Sequence, residues 1–95
     1  MPGYKRAELS AELTVVPSRE SEGSPQSQIE AAKRAASDSG LAHEAGPETT
    51  VLAGGRSEVL EAVLKVVEAS LDAGAHAVQV RVEAEGDAER FDEES

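Results

Sequence analysis

Cysteine, tryptophan and asparagine are absent from this chain, and its aromatic complement is Tyr4 and Phe91 alone. Without cysteine there is no disulfide framework, no thiolate nucleophile and no cysteine-based zinc site. No apolar run approaches the ~18 residues of a membrane span, and the polar N-terminus has no signal-peptide core, so the expected compartment is the cytoplasm. Both aromatics lie near the chain ends, which leaves Leu, Val, Ile and abundant Ala to build the interior. Small side chains contribute little each at about 25 cal/mol per Å² of buried apolar area, so subunit association is an expected supplement to a thin core.

Positive charge is also scarce. Nine Lys and Arg stand against 19 Asp and Glu, a formal charge of −10. Such a chain is repelled by phosphate backbones unless its cations cluster, and here they are scattered. Nucleic acid is excluded as an expected partner, and a membrane with it. The 95 residues suffice for one domain. Residues 1–8 read as a flexible polar lead, 9–86 as the folded domain, and 87–95 as an acidic tail expected to fray.

Within the domain the elements follow from periodicity. Residues 10–17 alternate as a strand, with Leu13 and Val15 between Glu12, Thr14 and Val16, and Pro17 ends it. Ser24-Pro25 is an N-cap followed by proline at the first helical position. That helix runs to about Ser39 with Ile29, Ala32 and Ala36 on its apolar face, and Gly40 follows. Residues 41–45 and 48–53 form a hairpin about Gly46-Pro47. Ser57 is the expected cap of a helix over 58–73, whose apolar face is Leu60, Val63, Leu64, Val67 and Leu71. Residues 75–85 alternate as a last strand, with Val78, Val80, Val82 and Ala84 on one side.

The order is β-α-β-β-α-β, an α+β chain of ferredoxin-like plan: a four-stranded antiparallel sheet with two helices on one face. The other face has no helix left to cover it. With Leu13, Val15, Val78, Val80 and Val82 turned to the helices, Glu12, Thr14, Gln79 and Arg81 fall on the bare side, beside Val16. A carboxylate, a hydroxyl, an amide and a guanidinium together suit a flat, polar, partly cationic small molecule. Two subunits stacking these faces, with Glu12 pairing an Arg81, is the competing structural explanation, and the two are compatible.

Other constellations carry less. His43 and His76 lack the spacing of a helical metal pair and read as surface or interface histidines; no metal site is expected. Thr49-Thr50 suits a strand by β propensity alone, with a ligand hydrogen bond as the alternative. Gly54-Gly55 lacks both the GxxxxGK[ST] and GxGxxG patterns and reads as a turn. The serines fall in a loop and in caps, with no nucleophile elbow. The phosphate site of acylphosphatases on this fold needs an asparagine. No catalytic set assembles, and a binding module is expected rather than an enzyme.

The run 11–17 (AELTVVP), then Ser39-Gly40-Leu41, then Gly46-Pro47 and residues 50–54 resembles the small thiamine-binding proteins of ferredoxin-like fold. The likeness spans about 9–85 and rests on order and spacing. It implies a cytoplasmic homodimer or homotetramer that binds thiamine or its hydroxymethylpyrimidine part without transforming it, with no further cofactor. Glu12 and Thr14 match the family's first-strand positions, and Thr50 matches its hairpin threonine. Ala53 stands where that family has Glu, and Ala77 where it has Arg, with Arg81 a nearby cation. Glu12 would accept from the pyrimidine amino group while Thr14 or Gln79 meets a ring nitrogen, and His43 or aliphatic walls would sandwich the ring. The expected ligand-binding set is therefore Glu12, Thr14, His43, Thr50, Gln79 and Arg81. The alternative is a structural or regulatory oligomerisation module with no small-molecule ligand.

Overall fold

A period of two builds the first strand, β1 (Leu9–Val16): Ala11, Leu13 and Val15 are buried, while Glu12 between them is exposed. The computed structural model describes residues 8–20 and 24–84, so the expected lead and acidic tail lie outside the described residues apart from Glu8. After the β1 loop comes α1 (Pro25–Asp38), opened by Ser24, whose Oγ accepts the Ser27 N–H at 3.1 Å. Pro25 occupies the first turn, where its missing N–H leaves no bond unmade. Gly40 then takes φ +76°, the left-handed residue the sequence required there.

The hairpin β2 (Ala42–Ala45) and β3 (Thr49–Gly54) turns through Gly46-Pro47, with the Gly46 N–H bonded to the Thr49 carbonyl. Next come α2 (Arg56–Asp72), a glycine at φ +103° (Gly74), and β4 (Ala77–Ala84). The sheet order is β2-β3-β1-β4 with every neighbour antiparallel. Both helices pack on one side, over Ala11, Leu13, Val15 and Leu52, which makes this the ferredoxin-like α+β fold. No helix among the described residues is long and apolar enough to cross a membrane.

Two expectations about α2 are corrected. Its N-cap is Gly55 rather than Ser57, and Gly55 has no side chain to cap with. Glu8 substitutes from the far end of the chain: its Oε1 accepts the Arg56 N–H at 2.8 Å, placing a carboxylate at the positive end of the helix. The buried stripe is also rotated by about one residue. Val59, Ala62, Val66 and Ser70 face inward, while Leu60, Leu64 and Leu71 are exposed. The alanine face of α1 (Ala32, Ala36) lets the helices and sheet approach closely, and that space takes Val, Ala and Ser better than Leu. Ser70 is accommodated by donating to the Val66 carbonyl at 2.7 Å.

A buried amide fixes the loop after β1. Gln28 is fully buried, and its Oε1 accepts the Ser18 N–H at 2.8 Å while Nε2 donates to the Ser18 carbonyl at 3.0 Å. Gln28→Ala strands both backbone groups of Ser18 and opens a void under α1. Urea denaturation should register a loss of about 2–3 kcal/mol, whereas an unchanged midpoint would show that water replaces the clamp at no cost.

Candidate functional site

Direct cross-strand partners share a sheet face, so the register decides which side chains meet on the uncovered side. Glu12 lies between Val51 of β3 and Arg81 of β4, and Val51 in turn opposes Glu44 of β2. The next row is Thr49, Thr14 and Gln79. On the other flank Ser10 opposes Glu83 and Ala53. Glu12 is thus the carboxylate at the middle of the face, standing on a central strand hydrogen-bonded on both sides.

The register brings four of the expected residues together: Glu12, Thr14, Gln79 and Arg81. The other two lie elsewhere. Thr50 opposes Leu13, is 3% exposed and belongs to the helix side of the sheet. Its neighbour Thr49 faces the open side instead, where its Oγ1 lies 3.2 Å from Thr14 Oγ1. His43 opposes Leu52 and so falls on the helix side of the edge strand, exposed, with Nδ1 3.2 Å from the Leu41 carbonyl. Sequence reasoning missed Ser10, Glu44, Val51 and Glu83, and of the Thr49-Thr50 pair it placed Thr50 in the set where the structure presents Thr49. The hairpin positions depend on the register between β1 and β3, which no local pattern fixes. Ser10 and Glu83 had a signal, since the alternation that placed Glu12 and Arg81 places them too.

The face is predominantly acidic. Among the described residues it carries Glu12, Glu44 and Glu83 against one cation, Arg81, which sits beside Glu12 and whose Nη2 lies 2.7 Å from Glu83 Oε2, while Glu44 stands at the far edge of the row. Both partners of that pair are well exposed, so it is a weak constraint on either side chain. Among the described residues Glu12 makes no ion pair of its own. Two shallow depressions meet at Glu12 and Arg81. One of about 250 Å³ is lined by Ser10, Glu12, Val51, Arg81 and Glu83. The other, about 160 Å³, is lined by Glu12, Thr14, Gln79, Val80 and Arg81. Together they offer carboxylate acceptors, two hydroxyls, an amide and a guanidinium around the aliphatic Val51.

A larger groove of about 470 Å³ runs between the helices, lined by Ala35, Asp38, Ser39, Glu58, Glu61, Ala62 and Lys65. Its charged walls, Asp38, Glu58, Glu61 and Lys65, are side chains on exposed helix faces with rotamer freedom. The open-face groups stand on paired strands at fixed spacing, which is what selective recognition requires. No group of three or more His, Asp or Glu among the described residues is arranged to hold a metal ion.

Comparison with known proteins identifies the fold and the family. A comparison with curated proteins returns no match. Among solved structures, a domain of unknown function from Bacillus cereus is 26% identical with a TM-score of 0.66, over 82% of this chain and 74% of that one. A Thermotoga maritima protein, provisionally assigned to thiamine biosynthesis or salvage, gives a TM-score of 0.67 at 20% identity, over 93% of this chain and 99% of its own. A Streptococcus pneumoniae protein gives 0.67 at 20% identity, over 92% and 96%. These likenesses share the fold. The sequence model described as thiamine-binding protein matches residues 11–93, a span that includes Glu12 and Arg81 and all four strands except the start of β1, and the chain therefore belongs to the thiamine-binding protein family.

Proposed function

We propose that this protein binds thiamine, through its hydroxymethylpyrimidine part, on the open sheet face and without transforming it. The observation that carries the reading is the placement of Glu12 at the meeting point of two depressions, beside a hydroxyl pair, an amide and a guanidinium. An aminopyrimidine presents ring nitrogens that accept and an amino group that donates. Glu12 accepts from the amino group, and Thr14, Thr49 or Gln79 donates to a ring nitrogen. Val51 supplies the apolar floor in place of an aromatic ring. The acidic surround attracts the thiazolium cation over a range of about 10 Å at moderate salt.

A family named for binding supports a non-enzymatic role. The depressions are shallow, whereas sites for small molecules enclose about 70–90% of the ligand surface. A second copy stacked sheet to sheet provides the missing wall, so the complete site lies between subunits of a homodimer or homotetramer.

Calorimetric titration tests the reading. Thiamine and free hydroxymethylpyrimidine should both release heat and compete for one site, whereas the isolated thiazolium half should not. Absence of heat with thiamine at millimolar concentration would contradict the proposal and favour the module that only joins subunits.

A further inference from the structure

Every large apolar side chain that is exposed among the described residues lies on one flank. They are Leu60, Leu64 and Leu71 of α2 and Val80 and Val82 of β4, each 41–59% exposed. At 100° per residue the three leucines form one stripe of α2, opposite Ala62 and Lys65, which line the groove against α1. α2 packs on β4, and the stripe points to that side. Val80 and Val82 oppose Leu13 and Ala11, so they belong to the helical side of the sheet. Among the described residues β4 is an edge strand eight residues long, paired only with β1.

Hydrogen-bond parity identifies the free backbone groups of that edge. The Val15 N–H donates to the Glu48 carbonyl, its opposite number in the β1–β3 register, so odd-numbered residues of β1 bond β3 and even-numbered ones bond β4. The β4 partners of Thr14, Glu12 and Ser10 are Gln79, Arg81 and Glu83. Val78, Val80, Val82 and Ala84 therefore turn their N–H and C=O groups outward, along the edge that carries the apolar strip. Natural proteins cover or blunt such an edge.

We infer that the chain covers it with its own continuation: residues 89–92 fold back antiparallel on β4 as a fifth strand, setting Phe91 over Val82. Residues 85–95 lie outside the described residues, and their sequence fits the edge closely. Gly86-Asp87 is a hairpin signal directly after β4. A four-residue connection over 85–88 closes on Ala84 and Glu89 as a bonded pair, which the outward parity of Ala84 requires. Glu83 then opposes Arg90, Val82 opposes Phe91, and Arg81 opposes Asp92. Both ion pairs fall on the open side of the sheet, and the aromatic ring falls on the helix side, bordering the leucine stripe. Other registers lack this match. A slip of one residue carries Arg90 and Asp92 to the helix side. A slip of two sets Arg81 against Arg90 in one direction and Glu83 against Asp92 in the other. The family match also runs past the end of β4, to residue 93. The inference removes 89–92 from the stretch expected to fray, and it does not rest on ligand binding.

Amide hydrogen exchange and designed disulfides in the full chain test it. With the edge covered, the Val82 and Ala84 amides should be as protected as those of Arg81 and Glu83 at every protein concentration. Phe91→Ala should speed their exchange about tenfold or more and lower the urea midpoint by roughly 0.5 M. Arg90→Glu should also lower the midpoint, and adding Glu83→Arg should restore it. Because the chain has no cysteine, thiols can be introduced in pairs. Glu83→Cys with Arg90→Cys, directly opposed with Cα atoms about 4.5 Å apart, should close a disulfide within one chain on mild oxidation. Glu83→Cys with Phe91→Cys, on opposite faces, should stay reduced. Fast exchange of Val82 and Ala84 in the wild type, or equal closure of both thiol pairs, would overturn the inference. Protection that survives Phe91→Ala but disappears on dilution would overturn it too, assigning the edge to a second copy of the chain.

Discussion

Glu12→Ala should weaken thiamine binding about 100-fold, and Glu12→Gln about tenfold. The gradation follows from the proposed contact. A carboxylate accepting from an amino group gives a charge-assisted hydrogen bond worth about 2–3 kcal/mol, and alanine removes it entirely. The glutamine carbonyl still accepts but has lost the negative charge, so part of the bond survives. Folding should be unaffected, because Glu12 is exposed on the face away from the core and its β1 neighbours hold the strand. Calorimetry on the three proteins, with denaturation midpoints measured in parallel, separates binding from stability. Equal affinities for wild type and both variants would remove Glu12 from the site.

The second large effect concerns the fold that presents Glu12. Leu52→Ala should cost about 3–4 kcal/mol in urea denaturation. Leu52 is fully buried on the helix side of β3, and Leu13 is the other leucine of the buried cluster. The rest of that cluster is valine and alanine, which cannot swing into a vacated leucine site. A domain of this length is stable by roughly 5–14 kcal/mol in total, so one methylene-rich side chain is a large share. A loss below about 1 kcal/mol would mean that the core collapses around the gap and is less tightly packed than the buried set implies.

Much of this molecule was legible in the sequence, and what was not has identifiable causes. The alternation in β1 and β4 located both strands and the faces of Glu12, Thr14, Gln79 and Arg81, because a period of two assigns sides without reference to partners. Ser24-Pro25 and Gly40 bounded α1 through cap chemistry that is local. The misplacements needed information from elsewhere in the chain. Leucine is more hydrophobic than valine, so the leucine stripe of α2 looked like its buried face. The close approach permitted by Ala32 and Ala36 made the smaller Val59, Ala62, Val66 set fit instead. Gly55 opens α2 because a carboxylate 48 residues upstream caps the first free N–H. Thr49 rather than Thr50, and Glu44 rather than His43, reach the open face through a register set by pairing with β1. Gln28 is polar, which masks its place on the buried stripe, although it lies one step of four before Ala32 and two such steps before Ala36.

Backbone amide shifts recorded during a thiamine titration report most directly on where the ligand sits. Ser10, Glu12, Thr14, Val51, Gln79 and Arg81 should move together and saturate with one isotherm, while residues of the inter-helix groove stay still. Shifts gathered instead around Asp38, Glu58, Glu61 and Lys65, or none anywhere as thiamine reaches millimolar levels, would place recognition away from the bare side of the sheet and contradict the account.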